Sequence, residues 1–434
     1  MQQITVFWFR RDLRLNDNAG LYNALKSGNP VLPIFIFDRQ ILDKLEDKAD
    51  RRVAFIHAAL HDIQAQLTEM GATLLVKYGN PIEIWKELSE TYHISEVHTN
   101  HDYEPYALQR DKTIGEFLNS KAIAFYTYKD QSIFEKSEIL SGAGTPYTVF
   151  TPYSRKWKER LNEFYLDSYP TEKYFFNFLK NNPLPIITLQ EMGFLEIKQV
   201  FPKKIVRDEI VKNYKEKRDF PAIAGTSRLS VHLRFGTISV RELARNTKDL
   251  SESFLNELIW RDFYMQILWH FPHVGSGKAF RADYDRIEWR NSEADFEKWC
   301  NGQTGYPIVD AGMRELNATG FMHNRVRMIV ASFFTKHLLL DWRWGEAYFA
   351  KKLLDFDFSA NNGGWQWASG SGTDAAPYFR IFNPTSQTQK FDNQLEYIKK
   401  WVPEISNFEY PKPMVEHTFA RERCLATYQK ALKG

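Results

Sequence analysis

Two tryptophans stand among amides and glycines late in the chain. The stretch runs Asn361-Asn-Gly-Gly-Trp365-Gln-Trp367 and continues to Arg380-Ile-Phe-Asn-Pro384 with almost no aliphatic residues. Such residues are poor material for a hydrophobic core, whereas they suit a pocket around a flat ligand with polar edges. Because Trp365 and Trp367 are two positions apart, they point in roughly opposite directions on a helix or a strand. One can face a cofactor while the other faces a substrate.

Two acidic residues, Asp355 and Asp357, lie just before this stretch and are flanked by phenylalanines. Their alternate spacing is that of a calcium loop, but Ala360 and Gln366 stand where such a loop needs Gly and Glu. We therefore predict no metal site. Buried acids need a partner, and Arg327 is a candidate for an ion pair with them. A purely structural pair is the alternative.

Two further segments place polar and aromatic side chains three and four positions apart, which is the spacing of one helical face. The first face comprises Asn324, Arg327 and Met328, and the second comprises Glu257, Trp260, Arg261 and Tyr264. Both patterns are also those of an amphipathic helix with core aromatics and solvated charges. From the residues alone, the two interpretations stay open.

Hydroxyl side chains stand at Thr226 and Ser227, where a helix would begin, and helix N-termini suit phosphate groups. The same residues are ordinary helix caps. Cationic residues with interleaved aromatic ones suit nucleic-acid phosphates. These residues are the segment Ser154–Arg160, Arg261, Arg325, Arg380 and Lys390. A solvated charged face is the alternative for Ser154–Arg160.

These motifs together resemble those of the DNA photolyase and cryptochrome family. The longest matching block is Trp367-Ala-Ser-Gly-Ser-Gly-Thr-Asp-Ala-Ala-Pro-Tyr-Phe-Arg-Ile-Phe-Asn-Pro384. The other blocks are Phe9–Leu15, Gly225–Ser230, Glu257–Arg261, Thr304–Ala311 and His323–Met328, and together they span nearly the whole chain. The resemblance is to class I cyclobutane pyrimidine dimer photolyases. It implies light-dependent repair of such dimers in DNA by electron transfer from excited reduced FAD to a flipped-out dimer.

The resemblance also implies which residues bind FAD. They are Tyr214, Thr226, Ser227, Arg228, Leu229, Ser230, Phe254, Arg261, Asn324, Arg327, Asp355, Asp357 and Asn361. In this family the segment around Thr226 holds the phosphates. Asp355 and Asp357 match acids that contact the polar edge of the flavin, and Asn361 matches a catalytic residue beside flavin N5.

A lesion pocket is implied in the same way, formed by Glu257, Trp260, Asn324, Arg325, Met328, Trp367 and Arg380. Stacking on an aromatic wall contributes about 1–3 kcal/mol per base, which offsets the few kcal/mol that unstacking a damaged step costs. Glu257 is a candidate catalytic hydrogen-bond donor to the dimer carbonyls, which requires a protonated carboxyl group. Trp365, Trp342 and Trp289 match the family's relay of electrons to oxidised flavin, with Trp365 nearest and Trp289 outermost.

Two alternatives within the family are a cryptochrome-type blue-light photoreceptor and a (6-4) photolyase. Cryptochromes often carry long C-terminal extensions, and plant cryptochromes have aspartate at the position of Asn361, whereas this chain has a short tail and keeps both Trp260 and Trp367. The (6-4) enzymes use a histidine near the position where Met328 stands. Both comparisons favour repair of cyclobutane dimers.

A second, antenna chromophore is expected, and a deazaflavin, a folate or another flavin are all open. Folate-binding members have an adjacent Asn-Glu pair, but the local run here is Tyr103-Glu-Pro-Tyr-Ala107. The run Glu104–Asp111 is closer to the version in deazaflavin-binding members.

The elements that position these residues form two predicted domains and a connector. Residues 1–128 alternate helical patterns with short apolar runs at Ile4–Phe9, Val31–Phe37, Thr73–Lys77, Glu96–Thr99 and Ala122–Tyr126. This pattern predicts a Rossmann-like α/β domain with a parallel sheet. Because no Gly-x-Gly-x-x-Gly follows the first run, a dinucleotide bound by that fingerprint is not expected there.

Residues 129–202 are rich in proline and lose periodicity, which is typical of an interdomain connector. Residues 203–434 show mainly helical patterns, as at Ser253–Phe271 and Phe321–Leu340. They predict a mostly α-helical domain that binds FAD and DNA.

The composition of the 434 residues fits a two-domain protein of the cytoplasm. The net charge of +3 permits a nucleic-acid-binding face but does not require one. The two cysteines, Cys300 and Cys424, are too few for a disulfide framework. We find neither a targeting signal nor an apolar run long enough to span a membrane. We expect a monomer whose partner is damaged DNA and which acts at the bacterial nucleoid.

Overall fold

The computed structural model describes residues 2–433, which form two compact units whose segments alternate along the chain. The first unit comprises the residues up to Glu135, Arg160–Ile205 and Arg228–Asp249. The second comprises Lys136–Glu159, Val206–Ser227 and the residues from Leu250 onward. The domain boundaries expected after residues 128 and 202 stay a prediction.

The first unit begins with alternating strands and helices. They are β1 (Gln3–Phe9), α1 (Ala19–Leu25), β2 (Val31–Asp38), α2 (Arg39–Leu42), α3 (Arg51–Glu69), β3 (Leu75–Gly79), α4 (Pro81–Thr91), β4 (His93–Asn100), α5 (Pro105–Ser120) and β5 (Ala124–Tyr128). The five strands form a parallel sheet of order β3-β2-β1-β4-β5. The predicted α/β fold with a parallel sheet is therefore confirmed.

The two central strands explain why the sheet was readable from the sequence. All residues of β2 and all but the first of β1 are buried. Strands covered on both faces appear as continuous apolar runs. The ends of the other three strands were less well predicted: β3 and β5 begin two residues later than expected, and β4 begins three residues earlier.

The middle of the chain is divided between the two units and contains short helices. They are α6 (Phe150–Arg160), α7 (Glu163–Leu166), α8 (Asp208–Lys212), α9 (Tyr214–Lys217), α10 (Ser230–Phe235) and α11 (Val240–Thr247), with a 3-10 helix at Thr171–Asn177. Helices α8 and α9, and α6 up to Glu159, belong to the second unit, whereas α7, α10 and α11 belong to the first.

The rest of the second unit is helical, as predicted. Its α-helices are α12 (Glu252–His270), α13 (Glu293–Cys300), α14 (Pro307–Thr319), α15 (Asn324–Ser332), α16 (Trp342–Lys352), α17 (Phe358–Ser369), α18 (Pro384–Phe391), α19 (Glu396–Trp401) and α20 (His417–Lys433). Short 3-10 helices lie at Pro272–Ser276, Ala282–Arg286 and Pro403–Ser406. Helix α17 packs against α12, α15 and α16.

The helical pattern over Phe321–Leu340 corresponds to two helical segments rather than one regular helix. His323 caps α15, because its Nδ1 accepts a hydrogen bond from the Arg325 backbone amide at 3.2 Å. The chain then changes to a π-helical turn at Phe333–His337, and Leu339 adopts a positive φ of 53°. The spacing of apolar residues continues through the π-helical turn and Leu339, so the sequence pattern does not reveal where the α-helix ends.

None of the helices described between residues 2 and 433 is long and apolar enough to cross a membrane.

Candidate active site

Helix α17 has one packed face and one open face, and both follow from its sequence. Trp365 and Gln366 are buried, whereas Asn361 and Trp367 are half-buried and Gly364 is exposed. An added Cβ atom at Gly364 would meet nothing within 4 Å. Asn361, Gly364 and Trp367 are three positions apart and share a face. The open face thus offers an amide, a gap and an aromatic ring, as a flat ligand requires.

The packed face is fixed by Trp365. Its ring lies 5.0 Å from that of Phe349 and 5.5 Å from that of Phe334, both edge to face. Helix α16 approaches so closely that a Cβ atom at Gly345 would lie 2.1 Å from the Trp365 ring. Only glycine permits this approach. The orientation of α17, and therefore of its open face, is set by this contact.

Buried amides and a carboxyl group connect α17 with α16. Asn361 donates from Nδ2 to the Glu346 carbonyl oxygen at 3.1 Å, and Asn362 donates to the Glu346 side chain at 2.8 Å. Gln366 donates to the Asn362 side chain at 3.0 Å. Burial raises the pKa of Glu346 to about 7, although Asn362 and Arg343 oppose this shift. The side chain predicted to lie beside flavin N5 is thus anchored next to a titratable group.

An ion pair stands beside this helix. Arg327 of α15 donates from Nη2 to both carboxylate oxygens of Asp355, at 2.9 and 3.1 Å, and from Nε to the Met322 carbonyl oxygen at 2.8 Å. The Asp355 side chain is only 7% exposed. The predicted pairing is confirmed. Asp357 instead caps α17, accepting the Ala360 backbone amide at 3.2 Å.

The α15 face predicted from spacing exists, since Asn324 is exposed and Met328 half-buried. Asn324 Nδ2 lies 3.9 Å from the Met328 sulfur. Arg325 points elsewhere: it pairs with Asp219 at 2.8 Å, and its guanidinium lies 4.4 Å from the Phe391 ring centre. A phosphate would have to compete with these contacts for Arg325.

Glu257 of α12 forms an ion pair with Arg218, just beyond α9. Partial burial raises the pKa of Glu257, and the Arg218 charge opposes that rise. Sequence reasoning missed Arg218. A signal was available, because Arg218 lies four residues after Tyr214, which is one helical turn. Tyr214 itself packs edge to face on Phe254 at 5.2 Å, so these two predicted cofactor residues do meet.

Trp260, on the same half-open face of α12, stacks on Phe150 with the ring centres 3.7 Å apart. Phe150 is 110 positions away in the sequence, and no motif pointed to it. Arg261 is half-buried on this face, while Arg380 is exposed in the loop after α17, with its guanidinium 5.6 Å from the Phe382 ring centre.

The predicted phosphate segment crosses the boundary of the two units, which falls between Ser227 and Arg228. Thr226 and Ser227 are half-buried, and Arg228 has a positive φ of 54°. Leu229 is buried and Ser230 is the first residue of α10. The role of this segment stays a prediction.

The three tryptophans of the predicted relay belong to one hydrophobic cluster of the second unit. Trp365 and Trp342 are 3% and 1% exposed within it, and Trp289 is partly buried against it. Trp289 also meets Tyr428 edge to face at 6.1 Å. Trp289, the predicted outermost member, is thus the least buried of the three, and the relay itself stays a prediction.

The first unit has polar groups at the carboxyl ends of its strands. The order β3-β2-β1-β4-β5 reverses direction at β1, and such a switch point is where open parallel sheets bind ligands. Arg10 follows β1 and pairs with Asp111, and Tyr106 donates to Asp38 at 2.5 Å. Glu104 pairs with Arg11 at 2.9 Å. The predicted antenna run Glu104–Asp111 therefore lies at this edge.

Comparison with known proteins gives consistent matches over the whole chain. Residues 5–173 match the family described as DNA photolyase, and residues 254–409 match the FAD binding domain of DNA photolyase. A deoxyribodipyrimidine photo-lyase of Halobacterium salinarum is 37% identical, with 98% of this chain and 99% of the relative covered.

Two solved structures are similar to this one. A bacterial class III photolyase from Agrobacterium tumefaciens aligns with a TM-score of 0.88 and 32% identity, covering 100% of this chain and 98% of the other. An archaeal photolyase from Sulfolobus tokodaii, solved with two FAD molecules, aligns with a TM-score of 0.84 and 34% identity, covering 98% and 99%.

Proposed function

The chain belongs to the DNA photolyase family, and we propose that it repairs cyclobutane pyrimidine dimers in DNA in a light-dependent reaction. It is a deoxyribodipyrimidine photo-lyase, a carbon–carbon lyase, with FAD as its cofactor. The observation that supports this function best is the open face of α17, where Asn361, Gly364 and Trp367 lie together. Helices α12 and α15, which carry the predicted pocket residues Glu257, Trp260, Asn324, Arg325 and Met328, both pack against α17.

The residues present fit FAD. The gap at Gly364 admits a flat ring beside the helix, and Asn361, whose Nδ2 donates to the Glu346 carbonyl oxygen, would offer its amide oxygen at the ring edge. The pair of Arg327 and Asp355 supplies polar groups whose charges balance, so neither is left isolated when a ligand excludes water. When bound, FAD would supply the light-driven electron that opens the cyclobutane ring.

The chain's own contribution is to bind and orient the dimer. Trp260 and Trp367 provide aromatic surfaces for the flipped bases, and stacking of this kind contributes about 1–3 kcal/mol per base. Met328 adds a soft apolar contact that cannot transfer a proton. This suits ring opening, which needs no obligatory proton transfer, better than reversal of a (6-4) adduct, which must also move oxygen.

Glu257 would donate a hydrogen bond to a dimer carbonyl, and for that it must hold a proton. In the structure its carboxylate is paired with Arg218, which favours the charged form. When the dimer binds, Glu257 must therefore lose its ion pair with Arg218, take up a proton and donate a hydrogen bond to the dimer instead. Partial burial, which raises the pKa of Glu257, supports such an exchange.

We also propose that an antenna chromophore binds at the carboxyl edge of the sheet in the first unit, near Glu104–Asp111. The second FAD of the Sulfolobus tokodaii photolyase supports such a site, with a novel light-harvesting cofactor implied for that protein. Protein isolated from its host should show an absorption band beyond that of one FAD. Substitution of Arg10 by Ala should abolish that band, and absorbance of a single FAD alone would contradict the proposal.

The further expectations of a monomer acting on DNA in the cytoplasm stay proposals. Both cysteines are buried and free, which suits a reducing compartment. Light scattering at micromolar concentration tests whether the protein is a monomer, and a mass twice that of the chain would contradict this proposal.

The central test uses reduced protein and oligonucleotides that carry a single lesion. Under blue light, the cyclobutane dimer should be converted to intact pyrimidines, whereas the (6-4) adduct and dark controls should remain unchanged. Repair of only the (6-4) adduct would overturn the specificity. Failure to repair either lesion, with normal flavin photochemistry, would favour a cryptochrome-type photoreceptor.

A further inference from the structure

One face of Trp260 is covered by another aromatic ring. The rings of Trp260 and Phe150 are parallel to within 2°, with centres 3.7 Å apart. Aromatic pairs in proteins more often adopt offset or edge-to-face arrangements with centres about 4.5–7 Å apart. Full overlap at this distance holds the plane of the indole ring against tilting. A base that stacks on Trp260 would therefore have to use the opposite face of the ring.

Phe150 is itself held from several directions within the second unit. Its ring meets the buried ring of Phe263 edge to face at 5.9 Å. Its backbone amide hydrogen-bonds the carboxylate of Asp374, a residue with a positive φ of 48° in the loop after α17. In the same loop, Thr373 donates a hydrogen bond to the Thr148 carbonyl oxygen. The start of α6 is thus tied to the loop that follows α17.

Helix α6 is also fixed along its length to α12, which carries Trp260. Trp157 donates from its indole nitrogen to Asp262 at 3.0 Å, and both side chains are buried. Tyr153 packs on Phe263 at 5.2 Å. These contacts hold α6 against α12, so the backbone that carries Phe150 is fixed relative to the helix that carries Trp260.

Trp260 is positioned from α17 as well. Tyr264, one turn further along α12, lies 5.5 Å from Trp260 at an angle of 30°. A Cβ atom at Gly363 of α17 would lie 2.2 Å from the Tyr264 ring, which shows how closely this ring approaches α17. Phe150 and Tyr264 together therefore set the position of Trp260 relative to the open face of α17.

We propose that Phe150 is a positioning residue for lesion recognition, which holds the Trp260 ring in the orientation that receives the flipped dimer. The inference rests on the proposed function. An aromatic side chain that is already ordered before binding loses less conformational entropy when the base stacks on it. Phe150 acts through Trp260 and does not itself touch the dimer.

The test compares dark binding of a duplex carrying one cyclobutane dimer. Phe150→Leu should weaken this binding on the order of tenfold, as expected when base stacking is lost in part, and should raise KM more than it lowers kcat. FAD content and binding to undamaged DNA should not change. Phe150→Tyr, which keeps the stacked ring, should bind the duplex as tightly as wild type. Tyr153→Leu is the matched control, because it removes an aromatic contact between α6 and α12 that does not involve Trp260.

A double-mutant cycle separates positioning from general packing. If Phe150 acts through Trp260, then adding Phe150→Leu to Trp260→Leu should cause no further loss of binding. Additive losses, or wild-type binding by Phe150→Leu, would overturn the inference while leaving the proposed function intact. A loss in Tyr153→Leu equal to that in Phe150→Leu would also overturn it. A wild-type protein that neither binds nor repairs the dimer would overturn both.

Discussion

Asp355 accepts hydrogen bonds from Arg327 at 2.9 and 3.1 Å, although the two residues are 28 positions apart in the sequence. The pair joins the loop before α17 to α15, so it connects two walls of the candidate active site. The free-energy cost of breaking this pair rises with its burial, because removal of one partner leaves the other charge buried and uncompensated.

The pair predicts the effect of Arg327→Ala. Loss of the guanidinium leaves the nearly buried Asp355 unpaired. Breaking a fully buried pair lowers the free energy of unfolding by about 3–5 kcal/mol. We expect a smaller loss here, because Arg327 is partly exposed. We expect lower stability in urea and a reduced ratio of flavin to protein absorbance. Arg286→Ala is the control, since its pair with Asp283 is exposed. Full flavin content and normal stability in Arg327→Ala would contradict the assignment.

The gap at Gly364 predicts that a small side chain there raises stability, whereas a large one blocks FAD binding. Gly364→Ala should stabilise the flavin-free protein by up to about 1 kcal/mol, because alanine favours a helix and its Cβ atom has room. Gly364→Leu should fold but bind FAD poorly, since its side chain fills the gap. Flavin titration and thermal unfolding measure both effects.

The control for Gly364 is Gly345→Ala. There the added Cβ atom would collide with the Trp365 ring, so it should destabilise the protein. Normal FAD binding by Gly364→Leu would show that the ligand lies elsewhere.

Glu346 predicts a pH dependence of stability. Its pKa is raised by burial from an ordinary 4.5 to about 7, with Asp341 adding to the shift and Asn362 and Arg343 opposing it. A raised pKa means that the folded protein binds the proton more tightly than the unfolded one. Its contribution to stability is therefore complete below about pH 4.5 and is lost as the pH rises through about 7.

Glu346→Gln should remove this dependence and make the protein more stable than wild type above pH 7, by up to about 3 kcal/mol. The amide oxygen can still accept the hydrogen bond from Asn362. Urea unfolding at several pH values measures the difference. Glu288→Gln, at an exposed side chain paired with Lys430, is the control and should leave the profile unchanged. Parallel profiles for wild type and Glu346→Gln would show that Glu346 does not titrate in this range.

The tryptophan cluster predicts a selective defect in Trp342→Phe. Light-driven reduction of oxidised FAD should stop, because phenylalanine is far harder to oxidise, whereas repair by chemically reduced protein should remain nearly intact. Trp344→Phe is a matched control, since Trp344 packs against the same cluster through Phe296 at 5.4 Å. Photoreduction at the wild-type rate in Trp342→Phe would place the electron path elsewhere.

Local periodicity was enough to predict several parts of the molecule. The parallel sheet followed from apolar runs such as Val31–Phe37, and the shared helical faces of α12 and α15 followed from spacings of three and four residues, whereas their interpretation as a pocket came from the family resemblance. An ion pair of Arg327 with one of the two acids followed from the cost of burying an acid without a partner, and the structure shows that the acid is Asp355. Each of these inferences depends on neighbours in the sequence or on a general energetic requirement.

The contacts that only the tertiary structure decided join distant segments. Phe150 meets Trp260, and Arg218 meets Glu257, because short helices of the middle region pack against α12. Gly345 of α16 lets the Trp365 ring of α17 approach closely, while the space beside Gly364 stays open. No local pattern encodes which side chain stacks on which, since a stacking contact depends on the path of the whole chain, whereas helical and strand spacing depends on a few residues.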